Sequence, residues 1–200
     1  YKSAANHAEY NNETRTIELY ADTMSPANNN ISQIALGSYS GKSLLDIVSE
    51  SESNLVVKTN GLTSTGRLDP SITYSGLSIN ADEADKLYIK VKIPEDVKTN
   101  MFEVFFGVDS GSFAAGQSFV TEYTPNGDWI EFVFDTSEHS DWNGIITSLR
   151  IDPLDSYPDK KPDGSIGEYA VDTDESYQIE IAEIAYINEL TVDNLYTQAG

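Results

Sequence analysis

Alternation constrains this chain more than any other feature. Residues 86–93 show it most cleanly. Leu87, Ile89, Val91 and Ile93 take one side, while Tyr88, Lys90 and Lys92 take the other. Successive side chains of a strand point to opposite faces, so period two marks a strand with one buried face. Trp129–Asp135 repeats the pattern with Ile130, Phe132 and Phe134 inward. Met101–Val108 is apolar on both sides apart from Glu103, as a central strand is. Thr16–Tyr20, residues 54–58, 118–123 and 145–152, and Gln178–Ile187 complete the set. Turn chemistry separates them: Asn60-Gly61, Asp69-Pro70, Pro125-Asn126-Gly127-Asp128, Asn143-Gly144 and Asp163-Gly164. Many strands between such breaks imply an all-β sandwich or barrel. Helical spacing is scarce. Residues 41–49 fit either a helical turn or a strand. Residues 191–198 fit a short C-terminal helix, with Thr191 as cap and Asp193 in the first turn.

Residues 1–15 are polar and read as a linker or frayed start. Residues 16–200 read as a single β-sandwich domain, since no repeat or interior linker divides them and the length supports one core. No apolar run approaches the roughly 20 residues of a membrane span. The chain begins at Tyr1 rather than Met, and it reads as part of a larger multidomain chain.

Charge excludes partners. Twelve basic residues stand against 33 acidic ones, a net charge of −21. Such a chain repels phosphate backbones and anionic lipid, so nucleic acid and membrane surfaces are not expected partners. There is no cysteine, which removes disulfides, thiolate nucleophiles and cysteine-based zinc sites. With only His7 and His139, a multi-histidine metal centre is excluded too. The segment 155–176 gathers Asp155, Asp159, Asp163, Glu168, Asp172, Asp174 and Glu175 against Lys160 and Lys161. It reads as a long solvated excursion between two strands.

One block carries a family resemblance. Asp128-Trp129-Ile-Glu-Phe-Val-Phe-Asp135 precedes Trp142-Asn-Gly-Ile-Ile-Thr-Ser-Leu-Arg-Ile-Asp-Pro153, and Ile179-Glu-Ile-Ala-Glu-Ile-Ala-Tyr-Ile187 closes the set. Over roughly residues 55–197 this order resembles jelly-roll carbohydrate-binding modules of large secreted or cell-surface bacterial proteins. The resemblance implies a β-sandwich of jelly-roll type with two antiparallel sheets, an extracellular setting, and a monomeric module that holds its parent protein on a polysaccharide. A structural or adhesive surface domain that binds no sugar is the alternative.

Sugar recognition needs flat apolar faces for the C–H patches of pyranose rings and fixed polar groups for the hydroxyls. Tyr88 alternates outward between Leu87 and Ile89, Phe105 shares a face with Glu103, and Arg150 alternates away from Leu149 and Ile151. If their strands are neighbours, Tyr88, Phe105, Glu131 and Arg150 line one groove. In the plainer arrangement, Arg150 pairs with a carboxylate such as Asp152 or Glu131, and a loop covers Phe105. Trp129 and Trp142 are further candidates for stacking, although a strand start and a Gly turn suit scaffold positions. Tyr157, Tyr169 and Tyr177 flank or occupy the acidic excursion.

Calcium takes six to eight oxygen ligands. The resemblance implies a structural calcium ion, with Glu18, Asp22, Asp172 and Asp174 as the first candidates and Asp69, Asp152 and Asp155 behind them. Catalysis is not expected. A retaining glycosidase needs two carboxylates about 5 Å apart. Glu180 and Glu183, three residues apart, are expected on opposite strand faces. Ser137, His139 and Asp141 are the residue types of a triad, but triads assemble across a fold, so this stretch reads as a polar turn.

Overall fold

The computed structural model describes residues 31–109, 113–114, 116–155 and 176–188, together with the backbone of 7–11 and 16–20. The last two segments form a hairpin, β1 (His7–Asn11) with β2 (Thr16–Tyr20). β1 lies inside the polar stretch read as a linker. The other strands are β3 (Ile31–Gln33), β4 (Tyr39–Ser43), β5 (Leu45–Glu50), β6 (Leu55–Thr59), β7 (Ser71–Asn80), β8 (Lys86–Lys92), β9 (Met101–Val108), β10 (Ser118–Glu122), β11 (Trp129–Asp135), β12 (Ile145–Asp155) and β13 (Gln178–Ile187).

These strands build two antiparallel sheets. One is five-stranded in the order β10-β9-β12-β7-β4. The other is six-stranded in the order β11-β8-β13-β6-β5, with β3 also paired to β13. The fold is an all-β sandwich. Segment 41–49 becomes β4 and β5, and the chain passes from one sheet to the other at Leu44, which takes a left-handed φ of 54°. The Leu44 carbonyl is secured there by the Asn60 amide at 3.1 Å. The proposed C-terminal helix lies outside the described residues. Among the described residues, no helix is long and apolar enough to cross a membrane.

The inward residues are the ones that alternation selects. Leu87, Ile89 and Val91 of β8 are fully buried, and Phe132 and Phe134 of β11 lie beside them. From the opposite sheet, Phe102 of β9 stacks on Phe132 with ring centroids 4.0 Å apart. Each such side chain contributes about 1.5–3 kcal/mol when fully buried. β9 lies between β10 and β12, the central position that its apolar faces predict.

β7 escapes a sequence reading for a physical reason. Its inward residues are Ile72 and Tyr74, then Ile79, so the alternation changes phase within the strand. The register against β12 shifts between Ser75 and Ile79, and Gly76 within that bulge has φ 74°. A bulge inserts an extra residue and breaks the period-two signal.

Candidate functional site

The two outer faces of the sandwich hold most of the candidate residues. They separate the four side chains that the sequence placed in one groove. Phe105 and Arg150 are register partners on β9 and β12 of the five-stranded sheet. Tyr88 and Glu131 lie on β8 and β11 of the six-stranded sheet. Their strand neighbours Phe102 and Phe132 meet inside the core, so the two outward sets face away from each other. The single groove is therefore corrected to two pairs on opposite faces.

On the five-stranded face, one row across the strands runs Ser118, Phe105, Arg150, Thr73 and Gly41. The Arg150 guanidinium lies over the Phe105 ring, 5.1 Å from its centroid. Phe113 meets the same ring edge-on at 6.4 Å. Two residues along β12, Asp152 accepts a 2.6 Å hydrogen bond from Arg150 Nη2. Asp69, in the loop before β7, approaches the same nitrogen at 3.9 Å. Glu103 of β9 is the register partner of Asp152. Beyond Arg150, the Ser40 hydroxyl donates to the Ser75 hydroxyl at 2.8 Å.

Asp152 is 2% exposed. Burial pushes its carboxyl well above the usual carboxylate range. Arg150 pulls the other way, and Asp69, Asp155 and Glu103 add to the upward push. Asp152 Oδ1 and Arg150 Nε are both buried without a hydrogen-bond partner in the described structure. The result is a guanidinium held by Asp152 above an aryl ring, with its side chain still 31% exposed.

The six-stranded face has a different composition. Lys90 donates to Glu131 at 2.8 Å, and Gln33 donates to Glu183 at 3.0 Å. Asn54 donates to Glu180 at 3.0 Å. Glu180 and Glu183 are expected on opposite sides, but a bulge between Ile181 and Glu183 brings both to the outer face, where they pair with Lys92 and Lys90 in register. Tyr88 hydrogen-bonds to Glu131. Partial burial, then the Glu131 charge and that bond, push its phenol up to about 12. The same Tyr88 bond, together with Lys90 above all, holds Glu131 below the usual carboxylate range. Trp129 is 41% exposed at the start of β11.

Trp142 is corrected to a core residue. It is buried, edge-on to Phe106 at 5.1 Å and Phe119 at 5.5 Å, and no sugar reaches its faces there. His139 sits in the same cluster, 4.8 Å from Phe106, at the end of a 3-10 turn over Thr136–Glu138. Tyr177 is buried too, whereas Tyr157 and Tyr169 lie outside the described residues. So do the calcium candidates Asp22, Asp172 and Asp174 and the side chain of Glu18. Among the described residues, no group of three or more His, Asp or Glu side chains is placed to hold a metal ion. Phe113 and the clamping role of Asp69 were not legible in the sequence. Both sit in irregular segments that carry no periodic signal.

No protein-family model matches the chain, and no curated protein does. Solved structures do. The xylan-binding module CBM86 from Roseburia intestinalis is similar at 9% identity, with 80% of this chain and 94% of that chain covered and a TM-score of 0.46. The family 11 carbohydrate-binding module of a cellulosomal cellulase of Clostridium thermocellum is similar at 16% identity, covering 81% and 89%, with a TM-score of 0.40. The C-terminal CBM6 of LamC from Zobellia galactanivorans is similar at 12% identity, covering 76% and 99%, with a TM-score of 0.39.

Proposed function

We propose that this domain is a non-catalytic carbohydrate-binding module and that the outer face of the five-stranded sheet contacts the glycan. The observation that carries this reading is the Arg150 guanidinium held across Phe105 by Asp152, with Phe113 edge-on beside it. Flat π surfaces match the C–H faces of pyranose rings, and donors fixed before binding lose little entropy when they meet hydroxyls. Thr73, Ser75 and Ser40 extend the face with neutral hydroxyls. Contacts of this kind are individually weak, so the domain works by keeping a tethered, secreted or surface-attached parent protein close to its polymer.

The test is retention on cross-linked polysaccharide beads. A panel of xylan, cellulose, mannan, starch and β-1,3-glucan is run with wild type and Phe105→Ala, with and without chelator. Retention on one polymer class, lost in a folded Phe105→Ala domain, supports the reading. Loss on chelation assigns a calcium ion to the binding-competent state. A folded domain that no polymer retains overturns it in favour of a structural or adhesive role.

A further inference from the structure

The charge around Arg150 bears on which glycans the proposed face accepts, and the inference rests on that proposal. Asp152 is within 2.6 Å of the guanidinium and Asp69 is within 3.9 Å. Glu103 stands opposite Asp152 across the β9–β12 pairing. Arg150 is the cation that pulls against the burial of Asp152. Two carboxylates thus reach the guanidinium, and a third, Glu103, acts on Asp152 from the neighbouring strand. A proton on Asp152 would still leave Asp69 against the guanidinium and Glu103 beside Asp152. Among the described residues, no second donor reaches Asp152, whose Oδ1 is buried without a hydrogen-bond partner.

We infer that Asp69, Glu103 and Asp152 make this face selective for neutral glycans and turn away chains that carry uronate. The charge of Arg150 is already matched within the protein. Its outward N–H groups therefore serve hydroxyls as directed donors and do not anchor an anion. A carboxylate on the ligand would approach Asp69 and Glu103 as a like charge at close range, which repels it. The net charge of −21 adds a longer-ranged repulsion of the same sign, screened beyond about 8 Å at physiological salt.

The test compares bead-bound polymers that differ in charge. Linear xylan is set beside glucuronoxylan and beside glucuronoxylan whose carboxylates have been reduced to alcohols. In parallel, β-1,3-glucan is set beside its uronate form, oxidised at the primary alcohols. The neutral and carboxyl-reduced polymers are expected to bind about tenfold more tightly than the uronate forms, a discrimination expected of like charges at short range. Raising the salt concentration should narrow that ratio, and so should the double variant Asp69→Asn/Glu103→Gln. Equal or tighter binding of the uronate polymers overturns the inference and leaves the proposed function standing. Rejection of the carboxyl-reduced polymer along with its parent also overturns it, because shape and not charge would then decide. Failure of every polymer to bind overturns the proposed function and this inference together.

Discussion

The two outer faces use the same residue types to different effect. On the six-stranded face Lys90 meets Glu131 at 2.8 Å, with their side chains 32% and 53% exposed. On the five-stranded face Arg150 meets Asp152 at 2.6 Å, and Asp152 is only 2% exposed. Both are ion pairs between outward side chains of a sheet. Water screens the first, so it adds little to stability. In the second, Arg150 is 31% exposed while Asp152 has lost its water, so the carboxyl depends on the guanidinium. Solvent access sets the energetic weight of a pair more than its distance does. The acid balance differs as well. Glu131, Glu183 and Glu180 each have a donor of their own, whereas Asp69 and Asp152 share one guanidinium.

The largest expected effect is on stability. Arg150→Ala should cost about 3 kcal/mol at neutral pH in urea unfolding, because the buried Asp152 carboxyl loses its hydrogen-bond donor and the cation that offsets its burial. The sign of the pH dependence follows from the raised Asp152 pKa. The folded state then holds a proton that the unfolded state has released, so stability falls as pH rises from the ordinary aspartate range through the raised value. Arg150→Ala should steepen that fall and Asp152→Asn should abolish it. A variant as stable as wild type at neutral pH would erase the contrast between the faces.

Next comes binding. Phe105→Ala should weaken glycan affinity about tenfold, or 1.4 kcal/mol, whereas Tyr88→Ala should leave it within about twofold of wild type, the spread of a surface substitution away from the contact. The reverse result in bead titrations would move the site to the six-stranded face. Tryptophan emission sharpens the same question. In Trp142→Phe the remaining indole, Trp129, belongs to the six-stranded sheet, so saturating glycan should leave its spectrum unchanged. A blue shift would place ligand there. Alkaline spectrophotometric titration addresses that face directly. Tyr88 should ionise near 12, and Glu131→Gln should bring it down towards the ordinary tyrosine range. The smallest effect belongs to Lys90→Ala, which should change stability by under about 1 kcal/mol, because the pair it breaks is exposed.

Much of the fold was legible in the sequence. The alternation of β8 and β11 names their inward residues correctly, and the doubly apolar β9 is an interior strand. The outward direction of Phe105, Arg150, Tyr88 and Glu131 was legible as well. Bulges account for the failures. The shift in β7 hid a strand, and the shift after Ile181 turned Glu183 to the same side as Glu180. For Trp142 the sequence left stacking platform and scaffold both open, because nothing local shows the Phe106 and Phe119 rings that enclose it.

By itself, then, the sequence determined what is local. Period two fixes which side chains share a side of their own strand. The turn residues fix where strands end, and the composition fixes an acidic, cysteine-free chain. Tertiary structure alone decided which strands became neighbours. A strand's hydrogen-bonding edges accept any partner in suitable register, and the choice is made by packing between residues far apart in the chain. That choice put Arg150 beside Phe105 and Asp152 and sent Tyr88 and Glu131 to the other side of the molecule.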